Sequence, residues 1–244
     1  MSGRKQQVIV NESHSQWAEV TSGVPQGSVL GPILFLLYIN SMSNGVTSKM
    51  FYFADDAKIY RAITNLAEHE ELQKDLYKLK QWSNGGDLGF NLSKCHQLTL
   101  SLRTIPPNRT YSLDGTTPLT RVSSEKDLGV IIDTKLSFHE HVSKKTKKAN
   151  SILAIIKKCF ININAEILKT LYKTLVRHHL EYANQSWKPY LKKHLLMIEN
   201  VQRRATRLVP GFSNLSYEDR LRELNIPTLE YRRRRGRMIE VYKI

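Results

Sequence analysis

Phe51-Tyr52-Phe53-Ala54-Asp55-Asp56-Ala57-Lys58-Ile59-Tyr60 sets two adjacent carboxylates between an aromatic, apolar run and a second short apolar one. Aromatic and β-branched residues favour strands, and Asp-Asp suits the tip between them, so the stretch predicts a β-hairpin. Like charges side by side on a tight tip repel each other. Cations relieve that repulsion, and hard carboxylate oxygens favour Mg²⁺. A bare Asp-Asp also serves as an ordinary Asx turn, so the rest of the chain has to decide between the two.

Upstream of the hairpin, Ser22 to Pro32 holds three glycines and two prolines, which predicts an irregular turn with backbone open to close approach. The apolar Ile33 to Ile39 follows, with Pro32 near its start, the favoured place for a proline that opens a helix. Before the turn, Val8, Val10, Trp17 and Val20 predict two strands around a turn at Asn11-Glu12-Ser13. Downstream, Asn65 followed by Glu68 reads as a capping box, and Leu72, Leu76, Leu79 and Trp82 recur at helical spacing. Phe90 to Leu102 alternates, which predicts a strand with Lys94 near its start, and Leu128 to Asp133 predicts one more. Residues 103 to 120 between them are rich in turn formers.

From His141 the pattern turns helical. One stripe runs through Val142, Ala149, Ile152, Ile156 and Phe160, a second through Leu168, Leu171, Leu175 and His179, and a third through Ile198, Val201, Ala205 and Leu208. The charge changes with the pattern. Residues 1–139 carry 14 Lys and Arg against 13 Asp and Glu, whereas residues 140–244 carry 23 against 9, within a total of +15. A near-neutral first part and a strongly basic second part point to a polyanion held mainly by the second, with Lys144, Lys145, Lys147, Lys148, Arg203 and Arg204 as the backbone-binding candidates. Solubilising helix faces would produce a similar surplus. The longest apolar run, Val29 to Ile39, is too short to span a bilayer and no signal peptide precedes it, so no membrane partner is expected. Cys95 and Cys159 lie far apart without metal-ligand spacing, which predicts idle thiols in a reduced compartment, nucleus or cytoplasm.

Taken in order, Thr21-Ser22-Gly23-Val24-Pro25-Gln26-Gly27-Ser28-Val29-Leu30-Gly31-Pro32, Phe53-Ala54-Asp55-Asp56 and Leu88-Gly89-Phe90-Asn91-Leu92-Ser93-Lys94-Cys95 resemble non-LTR (LINE-type) retrotransposon reverse transcriptases. Lys126 to Asp133 and Val201-Gln202-Arg203-Arg204-Ala205-Thr206 are similar to later blocks of the same family. The resemblance implies an α+β fold: a partial polymerase palm over 1–139, an antiparallel sheet with packed helices, then a basic all-helical thumb-like region over 140–244. It implies that Asp55 and Asp56 hold Mg²⁺, as a two-ion site, for nucleotidyl transfer. Gln26 and Gly27 would contact template and incoming nucleotide, and Lys94 would lie near the triphosphate. RNA template, DNA primer and deoxynucleoside triphosphates are then the expected partners, with no small-molecule cofactor.

Two departures qualify the match. The family motif most often has Tyr where Phe53 stands. Such enzymes also hold their metals with a third aspartate on an earlier strand, whereas only Glu12 and Glu19 are acidic before Asp55. The chain is therefore expected to be a fragment without fingers and without that strand, inactive by itself. The alternatives left open are a non-catalytic nucleic-acid-binding protein and a metal site built from His139-Glu140-His141 with His178-His179.

Overall fold

In this computed structural model, which describes residues 3–21, 23, 27–86, 88–101 and 109–243, the strands are short and stand in two-stranded ladders. Helices therefore carry most of the core, and the mixture is α+β. The chain divides into two units: Met1–Gln97 with Pro107–Arg121, and Leu98–Pro106 with Val122–Ile244.

The first unit opens with β1 (Arg4–Gln6), β2 (Ile9–Val10), β3 (Ser13–His14) and β4 (Ala18–Val20). β1 pairs with β4 and β2 with β3, so the two predicted strands are the arms of one interrupted hairpin. Asn11 and Glu12 both have positive φ, the backbone that a two-residue turn needs to follow strand twist. Helix α1 (Leu30–Ile39) follows. Ser28 Oγ accepts the Gly31 N–H at 3.0 Å. Pro32 lies in the first turn, where its missing N–H leaves no gap.

Next come β5 (Lys49–Phe53) and β6 (Asp56–Tyr60), the predicted hairpin, and α2 (Leu66–Asn84). Asn65 Oδ1 accepts the Glu68 N–H at 2.9 Å, which is half of the predicted capping box. The other half is absent because the Glu68 carboxylate turns to the Arg61 guanidinium. Ile39, Met42, Leu76, Leu79, Tyr111 and Leu113 form the core of this unit, and Met50, Tyr52 and Ile59 seat one face of the hairpin on it.

The strand expected from Phe90 is much shorter. Asn91 Oδ1 accepts the Ser93 N–H, a local bond that competes with strand pairing, and Leu92–Lys94 coils into a 3₁₀ turn. Among the described residues of that stretch, β7 (His96–Leu98) is the strand, and it pairs with β8 (Thr120–Val122).

The second unit contains β9 (Ser124–Asp127) and β10 (Val130–Asp133). Leu128 and Gly129 are the turn between them, not the start of a strand as expected, and both have positive φ. The helices are α3 (His139–Cys159), α4 (Ala165–Leu171), α5 (Arg177–Glu181), α6 (Lys192–Ala205), α7 (Tyr217–Leu224) and α8 (Leu229–Lys243).

A π-helical stretch, Tyr172–Val176, joins α4 to α5. It corrects the second predicted stripe. The extra residue per turn brings Leu168, Tyr172, Val176 and Leu180 into the core at spacings of four, and turns Leu175 outward. The first stripe shifts likewise: Leu153 is buried, while Ile152 is half-buried and Phe160 exposed. The third stripe stands, with Ile198, Val201 and Ala205 buried and Leu208 packed against them. A polar hub crosses this core. Tyr172 Oη donates to Gln202 Oε1, and Gln202 Nε2 donates to Tyr217 Oη and to the Pro227 carbonyl.

Candidate active site

The register of β5 and β6 leaves a two-residue loop, Ala54-Asp55, closed by the pair Phe53 and Asp56. Ala54 has φ +51 and Asp55 is not in the positive region, the sign pattern of a II′ hairpin turn, whose first position glycine occupies most easily. An alanine held there costs on the order of 1 kcal/mol, and strain of this kind concentrates at functional sites.

Alternation along the ladder does the rest. Met50, Tyr52, Ala57 and Ile59 share the core-facing side, while Phe51, Phe53, Asp56, Lys58 and Tyr60 share the outer one. On that outer face the rings of Phe51 and Tyr60 stack at 5.5 Å with 2° between their planes, and Lys49 Nζ lies 5.9 Å from the Tyr60 ring centre. Phe51 and Phe53 are more than half exposed, a flat aromatic surface leading to the acidic tip.

Asp55 and Asp56 are both exposed, and among the described residues neither carboxylate has a hydrogen bond or an ion pair. An ordinary Asx turn spends its carboxylate on nearby backbone N–H groups, as Asp114 does with those of Thr116 and Thr117. Asp55 and Asp56 do not. Adjacent, hard and unspent, their oxygens suit a hard cation such as Mg²⁺. Among the described residues no cluster of three or more His, Cys, Asp or Glu is placed to bind a metal.

The base of the hairpin is fixed by a group that sequence reasoning passed over. Asp75 of α2 is fully buried. Its Oδ2 accepts the backbone N–H of Thr47 at 3.1 Å and of Ser48 at 2.8 Å, together with the Thr47 hydroxyl at 2.9 Å. Lys78 Nζ lies 2.9 Å from Oδ1, and Arg61, just beyond β6, approaches to 3.8 Å. Burial acts to raise the Asp75 pKa, but the hydrogen bonds from Lys78, Ser48 and Thr47 outweigh it and hold the carboxyl far below its ordinary range. Both strands of the β5–β6 ladder are thus tied, at its open end, to one charge on α2. The signal in the sequence was an Asp on the Leu72, Leu76, Leu79 face of a helix.

Other expected site residues are more dispersed. Gly27 is described, with φ +80, whereas Gln26 lies outside the described residues. Lys94 is exposed on its 3₁₀ turn, not at a strand start, and no hydrogen bond or ion pair holds its ammonium among the described residues.

The four lysines of α3 differ from one another. Lys144 pairs with Glu140 at 2.7 Å, Lys145 lies 5.4 Å over the Tyr182 ring, and Lys147 and Lys148 are exposed. Burial, then the nearby Lys126 charge, lowers the Lys145 pKa. Arg204 donates to Asn150 Oδ1 at 3.1 Å, while Arg203 stacks on the Tyr217 ring at 4.0 Å.

The histidines do not assemble as a metal site among the described residues. His141 is fully buried and its Nδ1 accepts the Ile131 N–H at 3.1 Å, tying α3 to β10. Burial, reinforced by Lys145, pushes its pKa down to about 4, so it is neutral near pH 7. His139 faces His194 at 2.8 Å, and the rings of His178 and His179 lie 3.9 Å apart, tilted by 44°. Glu140 is engaged by Ser124 and Lys144. Cys95 and Cys159 are free thiols.

Residues 4–132 match the family model described as reverse transcriptase (RNA-dependent DNA polymerase). The chain is 27% identical over 222 residues to a probable RNA-directed DNA polymerase from transposon X-element of Drosophila melanogaster, covering 86% of this chain and 24% of that protein. It is 29% identical over 227 residues to the RNA-directed DNA polymerase from mobile element jockey of Drosophila funebris, covering 86% of this chain and 24% of that one. The jockey protein of Drosophila melanogaster is 28% identical over 241 residues, covering 91% and 25%. The chain spans about a quarter of the length of these relatives. A strained hairpin with an unspent acidic pair, a family model across more than half of the chain and relatives from mobile elements agree: the chain belongs to the reverse transcriptase family, in its non-LTR, LINE-type branch.

Proposed function

We propose that this chain carries the catalytic hairpin and a nucleic-acid-gripping unit of an RNA-directed DNA polymerase that copies an RNA template from a DNA primer. The observation that carries the reading is the pair of exposed, unpartnered carboxylates, Asp55 and Asp56, on a strained tip whose base is clamped by Asp75. Mg²⁺ held by these two oxygen donors would supply Lewis acidity at the primer hydroxyl and charge neutralisation at the departing pyrophosphate.

The remaining work belongs to the chain. The strained two-residue turn fixes the direction of both carboxylates, and Asp75 stops the hairpin from pivoting on its base. Misplacement by about 1 Å costs on the order of a hundredfold in such chemistry. Gln26 and Gly27 contact template and nucleotide, and the exposed Lys94 ammonium reaches the triphosphate. In the second unit the exposed Lys147 and Lys148 hold backbone phosphates without reading bases.

A chimera tests the reading. The matching quarter of a jockey-type polymerase is replaced by this chain, and primer extension is followed on an RNA template. The chimera should extend the primer, and Asp55→Ala should lower the rate by roughly a hundredfold to a thousandfold or more, since charge at the reacting oxygens is the largest catalytic contribution. Lys94→Ala should slow extension only in part. Extension that survives Asp55→Ala would overturn the assignment.

A further inference from the structure

We propose that Arg203, Arg207 and Arg220 form a binding site for one phosphate group of a nucleic-acid backbone, built around the Tyr217 ring. This rests on the reading of the second unit as a nucleic-acid grip, and it names the contact.

The geometry starts from sequence spacing. Arg203 and Arg207 stand four residues apart, from the end of α6 into the 3₁₀ turn Thr206–Leu208, so they share one face. The Arg203 guanidinium carbon stands over the Tyr217 ring, 4.0 Å from its centre, and Arg220 of α7 approaches the same ring at 5.8 Å. Arg220 is only 3% exposed, yet its Nε has no hydrogen-bond partner. Among the described residues, none of the three arginines forms an ion pair or a hydrogen bond with a carboxylate.

Contrast Arg232, whose guanidinium takes both oxygens of Glu181. A buried charge in a folded protein is normally paired, because desolvation is costly otherwise. Burial and the positive charges of Arg207 and Arg203 together push the Arg220 pKa down, with Tyr217 and Glu218 acting against them. Two guanidiniums on one ring and a third four residues from Arg203, none of them paired with a carboxylate among the described residues, fit an oxyanion whose several oxygens can each take an N–H, which is the geometry of phosphate. Stacking on Tyr217 fixes the Arg203 fork in advance, so less freedom is lost on binding. Arg204, the immediate neighbour, is excluded by its bond to Asn150 on another face.

Two measurements on the full chain test this. In the first, thermal unfolding is followed in inorganic phosphate against chloride at equal ionic strength. Phosphate should raise the midpoint of the wild-type chain, Arg207→Gln and Arg203→Gln should lose the rise, and Arg204→Gln should keep it. Arg207 is exposed, so its variant folds even where Arg220→Gln does not. An equal rise in all variants would mean a general salt effect and would overturn the site.

In the second, fluorescence anisotropy of a labelled single-stranded oligonucleotide is read against salt. Arg207→Gln should weaken binding and reduce the log–log salt slope by about 1, the mark of one lost phosphate contact, with Arg222→Gln, whose guanidinium is spent on Asp219, unchanged. A phosphate response without any change in slope would overturn the backbone as the source and point to a free phosphate or another phosphorylated ligand. Failure of the wild-type chain to bind the oligonucleotide at all would instead overturn the grip reading, while the first measurement still decides the anion site.

Discussion

Two hairpins of similar length are held in opposite ways. The β9–β10 hairpin is fastened at both ends. At its tip Gly129 lies against the Tyr182 ring, whose hydroxyl donates to the Leu128 carbonyl at 2.9 Å. At its base Asp133 accepts the N–H groups of Lys135, Ser137 and Phe138 as α3 begins, and His141 takes the Ile131 N–H. The β5–β6 hairpin is fastened only at its base, by Asp75. Its tip carries backbone strain at Ala54 and two carboxylates with no structural partner among the described residues. Where packing explains every unusual φ, as at Gly129, the turn is structural. Where no packing contact accompanies it, as at Ala54, the strain supports the role proposed for the acidic pair.

The comparison can be broken first at the base. Asp75→Ala would leave Arg61 and Lys78 without their buried counter-charge and free two backbone N–H groups. It should cost about 3–5 kcal/mol, measured by urea unfolding. A loss below about 1 kcal/mol would show that the clamp does not hold the hairpin.

Next, Gly129→Ala should cost roughly 2–3 kcal/mol, because φ is +83 and the new Cβ would meet Tyr182 Cε1 at 3.1 Å. Pairing it with Tyr182→Ala should recover the contact part and leave the backbone part, a separation that a double-mutant cycle reads directly.

The third effect depends on pH. His141 titrates at about 4 in the folded chain against 6.5 ordinarily, so between those values the unfolded chain binds a proton that the folded one does not. Stability is therefore full above about pH 6.5 and falls as pH drops through the window, by about 2 kcal/mol at pH 5. His141→Asn should flatten this part of the profile, and an unchanged profile would exclude His141 as its source.

The smallest effect sharpens the contrast most. Ala54→Gly removes strain without removing a contact and should stabilise the chain by about 0.5–1 kcal/mol, against the loss expected from changing Gly129 in the other direction. In the chimeric polymerase the same change should slow extension, because it frees the direction of the acidic pair.

What the sequence determined was local. Aromatic strands around Asp55-Asp56, Asn65 as a helix cap and the stripe of α6 all follow from residues within a few positions of one another, where sterics and hydrogen bonding act through the chain itself. The order of motifs determined the family for the same reason, since each block is a contiguous run.

Tertiary structure decided what depends on residues far apart in the chain. Asp75 reads as one more polar position on a helix until Thr47 and Ser48, 28 and 27 residues away, are brought to it. Leu128-Gly129 reads as a strand until Tyr182, 54 residues from Leu128, presses on the turn. The π-helical stretch that turns Leu175 outward stands where Tyr172 reaches Gln202, 30 residues on, in the core. The convergence of Arg203 and Arg220 on the Tyr217 ring is of the same kind. Like charges gather there because α6 and α7 pack together, and nothing in their spacing along the chain fixes that distance.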